Sequence, residues 1–235
     1  MLEPRTAYRI SLAAGIVVLS FSILAAVLQQ VPACGGLAPN YPPIIAFELA
    51  RSVDDLHAIF GETPSECRTA ITEELDSINV IDCLLYLPAY GTFLAFCFLG
   101  MRFRNRRLGT AAALVTVVAC AADYAENLCL FRISANPDIN SQWLTHLAWT
   151  TEVKWIGLGM ASAIGGAILW KANSGWRLAS IPCTFALVAA LITIPFPAVA
   201  GPYLALAFAA GWLVFIALTL RESLRKRAAI PGAKP

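Results

Sequence analysis

Charge is what this chain has least of. Only 14% of its 235 residues are Asp, Glu, Lys or Arg, while 58% are hydrophobic. Soluble domains carry about 25% charged residues, so the deficit speaks against a water-facing globular surface and supports a membrane class. Histidine is nearly absent. His57 and His146 are the two present, too few for an internal bis-His haem or a zinc site. The seven cysteines include no Cys-x-x-C pair, which speaks against a thiol oxidoreductase of that type. A phosphate-binding Gly loop, a nucleophile elbow, a nucleic-acid motif and an internal repeat are all missing. The sequence therefore implies no metal, no cofactor and no nucleic-acid partner.

Long apolar runs are what the chain does have. They cover Ile10–Gln30, Asn79–Met101, Leu108–Phe131, Thr150–Lys171, Leu178–Ile194 and Tyr203–Leu220, each near the length that carries a helix through a hydrocarbon core. The expected fold is all-α: a polytopic membrane bundle of six transmembrane helices with a short extracytoplasmic helical cap at 31–78, residues 1–235 forming one membrane domain. With these spans, the basic residues Arg5, Arg9, Arg102, Arg104, Arg106, Arg107, Lys171, Arg177, Arg221, Arg225, Lys226, Arg227 and Lys234 all fall on one side. By the positive-inside rule that side, with both termini, is cytoplasmic. Val31-Pro32-Ala33-Cys34-Gly35 faintly resembles a lipoprotein cleavage site, but the preceding apolar run is longer than a signal peptide's and Gln29 and Gln30 interrupt it. A retained anchor is the expectation.

In the outer segment Ile45, Leu49, Val53, Leu56 and Phe60 recur at helical spacing, with Glu48, Arg51, Asp54 and Asp55 turned elsewhere. This predicts one amphipathic helix ended by Gly61. Thr63-Pro64-Ser65-Glu66 then predicts a new helix capped by Thr63, running on into the second span. Such a cap either lies on the mouth of the bundle or rests on the membrane surface. Cys34 and Cys67 share this outer, oxidising side, and a bond between them would close a loop worth roughly 3–4 kcal/mol; Cys83 is the rival partner. The other cysteines, Cys97, Cys120, Cys129 and Cys183, read as small apolar side chains.

Ionisable groups interrupt three of the spans. Asp82, Tyr86 and Tyr90 are four residues apart and share a face, as do Asp123, Glu126 and Asn127. Glu152 and Lys154 lie near the outer end of the fourth span. At 1.5 Å per residue, Asp82, Glu126 and Lys154 sit about 10–12 Å outward of their span midpoints, and Asp123 about 5 Å. Charge at such depth is costly, so an outward-open polar pocket is predicted, with Lys154 as counter-ion to Glu126 or Asp123. The bland alternative is a clasp that ties helices together. Trp143, Trp149 and Trp155 read as an interfacial belt, and Gly157, Ala161 and Gly165 as a small-residue face for close helix contact. Pro195-Phe196-Pro197 ends the fifth helix and Gly201-Pro202 starts the sixth.

Phe47-Glu48-Leu49-Ala50, Asp82 with Pro88-Ala89-Tyr90, and Ala122-Asp123-Tyr124-Ala125-Glu126-Asn127 resemble a group of uncharacterised bacterial multi-pass membrane proteins with an Asp-x-x-Glu-Asn motif. The likeness covers Ile44 to Ile133. It implies a bacterial inner-membrane home and brings no activity with it. Three functions follow as expectations. The first is a pocket for a lipid headgroup or small polar ligand at Asp82, Tyr86, Asp123, Glu126, Asn127 and Lys154, with membrane lipids as partners. The second is a proton- or ion-coupled transporter with Asp123 and Glu126 as relay, against which stand an apolar inner half and no obvious broken helix. The third is a lipid-modifying enzyme in which Glu126 or Asp123 is the acid/base and Lys154 an electrostatic stabiliser, though no nucleophile is evident. Oligomeric state is left open.

Overall fold

The computed structural model describes residues 3–28, 32–38, 40–138, 141–172 and 175–225. Gln29, Gln30 and Val31 of the cleavage-site-like stretch, and Lys226, Arg227 and Lys234 of the basic tail, lie outside the described residues. Eight helices are described: α1 (Pro4–Leu28), α2 (Pro43–Glu48), α3 (Val53–Phe60), α4 (Glu66–Met101), α5 (Arg106–Ser134), α6 (Ser141–Lys171), α7 (Ser180–Thr193) and α8 (Pro197–Leu224). Five of them, α1, α4, α5, α6 and α8, are long and apolar enough to cross a membrane. Their outer faces expose Leu114, Val117 and Leu128 on α5 and Leu206 and Leu213 on α8, surface that suits lipid and not water. This is a polytopic membrane protein.

The expected sixth span is the exception. Helix α7 has 14 residues, about 21 Å at 1.5 Å each, short of a ~30 Å hydrocarbon core. Pro195 stops it, because it has no N–H to return to Leu191. The chain nevertheless crosses the bundle here. Ala172, just past α6, borders the same cavity as Arg221 near the end of α8, while Gly201 near the start of α8 lies against Tyr41 of the outer segment. Between those points α7 and its flanking turns join one end of the bundle to the other. Helix α8 itself starts at Pro197, with Gly201 and Pro202 inside it, so Gly201-Pro202 is not the launch point that the sequence suggested.

The arginine-bearing ends meet. Arg5 Nε donates to the Ser223 carbonyl at 3.1 Å, and Arg104 Nη2 pairs with Glu222 Oε1 at 2.9 Å. This defines a basic end. Between it and the cap the core is aromatic, with Phe98 and Phe215 edge to face at 5.3 Å. The small-residue face of α6 brings helices close: a Cβ on Gly157 would lie 3.0 Å from Ala119 Cβ, and one on Gly165 would lie 2.7 Å from Phe98 and 2.8 Å from Phe215.

The outer segment forms two short helices and not one. The apolar period runs through, but Ser52 breaks it: its side chain accepts from Asp55 N at 3.2 Å, and Asp55 Oδ2 accepts from Ser52 N at 2.9 Å. This capping box starts α3 afresh. Gly61, at φ 79°, ends it as expected. The next helix is capped by Ser65, which accepts from Arg68 N at 3.1 Å, and not by Thr63. Cys34 and Cys67 are bonded, with Cα atoms 5.8 Å apart, and Cys83 is free. Arg68 fastens the cap further. It donates to Phe60 O at 3.3 Å and pairs with Asp138 at 2.8 Å, holding that carboxyl below its usual range. His57 Nε2 lies 3.5 Å from the same carboxylate.

Helix α4 runs unbroken from the cap into the membrane, as expected, but it carries a π-helical turn at Asp82–Tyr86 that the sequence reading did not foresee. Leu87 N donates to Asp82 O, one residue further back than in an α-helix. The next donor in that register would be Pro88, which has none. The orphaned Cys83 carbonyl accepts from the Tyr124 hydroxyl at 3.2 Å instead.

Candidate functional site

Directly beneath the cap, four helices place ionisable side chains against one another. Helix α6 contributes Lys154, whose Nζ lies 2.6 Å from Glu126 Oε2 and 3.0 Å from Asp123 Oδ1, both on α5. Its third partner is Glu48 Oε2 at 3.2 Å, from α2. The three- and four-residue spacing of Asp123, Glu126 and Asn127 puts them on the face of α5 that meets α6 and α4. Asn127 Nδ2 donates to Asp82 Oδ2 at 2.6 Å, so Asp82 joins the cluster through Asn127. The widened turn at Asp82–Tyr86 sets the position of that carboxylate.

Hydroxyls and an indole complete the shell. The Tyr90 hydroxyl donates a short hydrogen bond to Asp123 Oδ2, and the Tyr90 ring stacks on Trp212 at 5.5 Å. Thr151 Oγ1 lies 2.6 Å from Glu126 Oε1 and 2.9 Å from the Glu48 carbonyl oxygen. Trp155 Nε1 donates to Glu48 Oε2 at 3.2 Å, and the Trp155 ring face lies 5.0 Å from the Lys154 ammonium. Glu48, Asp123, Glu126, Asn127, Thr151 and Lys154 are all buried; Lys154 and Glu48 keep 7% and 8% exposure.

The geometry corrects the sequence reading in four ways. The cluster is closed, where an outward-open pocket was expected, because α2 lies over Lys154 and supplies its third carboxylate. Glu48 points inward, although helical spacing had turned it away from the apolar face. The missed signal is its place as the lone charge within Ile44-Ile45-Ala46-Phe47-Glu48-Leu49-Ala50. Trp155 belongs to the cluster and not to an interfacial belt, unlike Trp149, which is 67% exposed. Tyr86 stands aside: its hydroxyl meets Ser22 Oγ at 3.2 Å.

Thr151 had no sequence signal, and Tyr90 had its spacing from Asp82 and its place in Pro88-Ala89-Tyr90. Glu152 lies on the Arg51 side, where its charge acts on that guanidinium. The ring of His146 packs against Trp143 at 5.9 Å, away from Lys154. Among the described residues no group of three or more His, Cys, Asp or Glu side chains has the geometry to hold a metal ion.

Glu48 lies outside the spanning helices, and its titration has an identifiable cause. Burial raises its carboxyl above the ordinary carboxylate range, and the Lys154 charge pulls it part of the way back.

Comparison of the chain with protein-family models, curated proteins and solved structures finds no match. No family or homologue is identified that would support the likeness of Ile44–Ile133 to a bacterial group. What stands is the architecture: a multi-helical membrane protein with five candidate spans and a buried charged cluster.

Proposed function

We propose that this is a proton-responsive membrane protein whose buried carboxyl–lysine cluster takes up and releases protons and so sets how firmly the cap docks. One observation carries the reading. Glu48, Asp123 and Glu126 contact the single ammonium of Lys154, and Asp82 is linked to them through Asn127. Fully ionised, the group has a large uncompensated negative charge in a dry site, which burial penalises heavily. The Thr151 hydroxyl ties the cap to the cluster, 2.6 Å from Glu126 Oε1 and 2.9 Å from the Glu48 carbonyl oxygen.

A proton also fits the space. Lys154 fills the middle of the cluster, so a lipid headgroup or small polar ligand would enter only after α2 lifts. Between the cluster and the basic end, Phe93, Leu94, Phe98 and Phe215 are fully buried, which favours communication with the cap over transport through the bundle. Oriented by its arginines, the protein has the cap on the extracytoplasmic side of a bacterial inner membrane.

Glu48 gives the test. Its carboxyl is raised in the docked state, so the docked cap holds that proton more tightly than the undocked cap does. Docking is then strongest below the undocked pKa, about 4.3 for Glu, and weakens as pH rises through the docked value. Hydrogen exchange over residues 43–60, normalised for the intrinsic rate, should show the wild-type cap opening more at pH 8 than at pH 5. The gain is about tenfold for each unit by which the docked pKa lies above pH 5 within that window. Glu48→Gln, always neutral and still able to accept from Trp155 and Lys154, should lose this dependence. Equal wild-type protection at both pH values refutes the proposal.

A further inference from the structure

At the basic end, opposite the cap, α1, α4, α8 and the residue after α6 border a cavity of about 470 Å³. Its walls include Tyr8, Phe103, Arg104, Arg221, Glu222 and Arg225. We propose that this cavity binds a phosphate-bearing anion, with the headgroup of an anionic membrane phospholipid as the source that best fits its setting.

The charge balance of the cavity is the first argument. Three guanidinium groups face one carboxylate, and Glu222 is divided between two of them: Oε1 pairs with Arg104 at 2.9 Å and Oε2 with Arg225 at 3.4 Å. Arg221 has no salt bridge among the described residues; its guanidinium lies over the Trp176 ring at 5.6 Å. A ring face positions a cation without neutralising it, which leaves the guanidinium donors charged. Planar guanidinium forks match phosphate oxygens two at a time.

Size and setting agree. The volume is in the range of small-molecule sites, about 300–1,000 Å³. The side chain of Arg225 is 70% exposed and already stands in the cavity wall. Phe103 is 57% exposed and offers apolar surface beside the charged wall, as a molecule with a phosphate head and acyl chains requires. Arg5, Arg102, Arg106 and Arg107 belong to the same end of the bundle and add a field that concentrates anions. The site is remote from the Lys154 cluster, and its test is independent of proton binding there.

The test uses the full-length protein in detergent and reads lipid occupancy by native mass spectrometry during titration. Phosphatidylglycerol is compared with phosphatidylcholine, and inorganic phosphate and glycerol 3-phosphate are titrated separately. Phosphatidylglycerol should bind at least about tenfold more tightly than phosphatidylcholine, and R221Q/R225Q should weaken it roughly 10- to 30-fold. R106Q/R107Q removes the same charge from the same end but outside the cavity wall, and should change binding less than about threefold. R225Q alone, at an exposed position, should show a partial loss with an unchanged melting curve.

If the soluble phosphates bind with this arginine dependence and phosphatidylglycerol has no advantage, the phosphate site stands with a soluble source. If neither lipid preference nor phosphate binding appears, or the two double variants lose binding alike, the proposal is overturned.

Discussion

Replacing Lys154 by Met is the sharpest perturbation this structure offers. The side chains are similar in length, but the change removes the ammonium that lies 2.6, 3.0 and 3.2 Å from Glu126, Asp123 and Glu48. Taking one partner out of a buried ion pair costs about 3–5 kcal/mol, because the other charge stays buried and unpaired. Here three carboxylates share the lost partner, so the upper part of that range applies. For a chain of this length each kcal/mol moves the midpoint by about 2–4 °C, which gives a fall of roughly 8–20 °C in thermal unfolding followed by tryptophan fluorescence at pH 7.

Neutralising the stranded carboxylates should rescue the loss. Lys154→Met combined with Glu126→Gln and Asp123→Asn removes two of the three carboxylates that contact the ammonium, and neutral replacement of a buried ionic group is often close to isoenergetic. The triple variant should recover most of the loss. A Lys154→Met protein melting within about 2 °C of wild type would refute the reading, as would a triple variant no better than the single one.

Two further outcomes follow from the fold. Cys34→Ser, or reduction of the native protein, opens a loop of sequence separation 33, worth about 3–4 kcal/mol in the chain-entropy model. The cap should then become sensitive to limited proteolysis between residues 35 and 66, and unchanged cleavage would show that Arg68 and the Glu48 contacts suffice alone. Gly165→Leu drives its Cβ into the Phe98–Phe215 pair, at 2.7 and 2.8 Å, and should cost about 1–3 kcal/mol by thermal melting. Gly36→Ala, with nothing within 4 Å of the added carbon, should be neutral.

Composition and periodicity alone determined that this is a helical membrane protein. Apolar runs longer than 18 residues have few other solutions in a chain so poor in charge. They also brought Asp123, Glu126 and Asn127 to one helix face, because 3.6 residues per turn does so in any helix. Local signals failed where two competed. Apolar spacing continued through Ser52, but the Ser52–Asp55 capping box restarts the helix there, so one expected helix became α2 and α3. Similarly, hydropathy gave α7 a full span, while Pro195 and the turns before Ser180 cut its helix short.

What only the tertiary structure decided is which side chains from different helices meet. Glu48 reads as a surface residue of a cap helix until α2 lies across α6 and turns it onto Lys154. Trp155 reads as an interfacial anchor until that carboxylate receives its N–H. The enclosure of the cluster, and with it the excess of acid over base in a dry site, arises from packing among segments far apart in the chain. No spacing within one helix encodes such contacts, since they depend on how neighbouring helices rotate and cross.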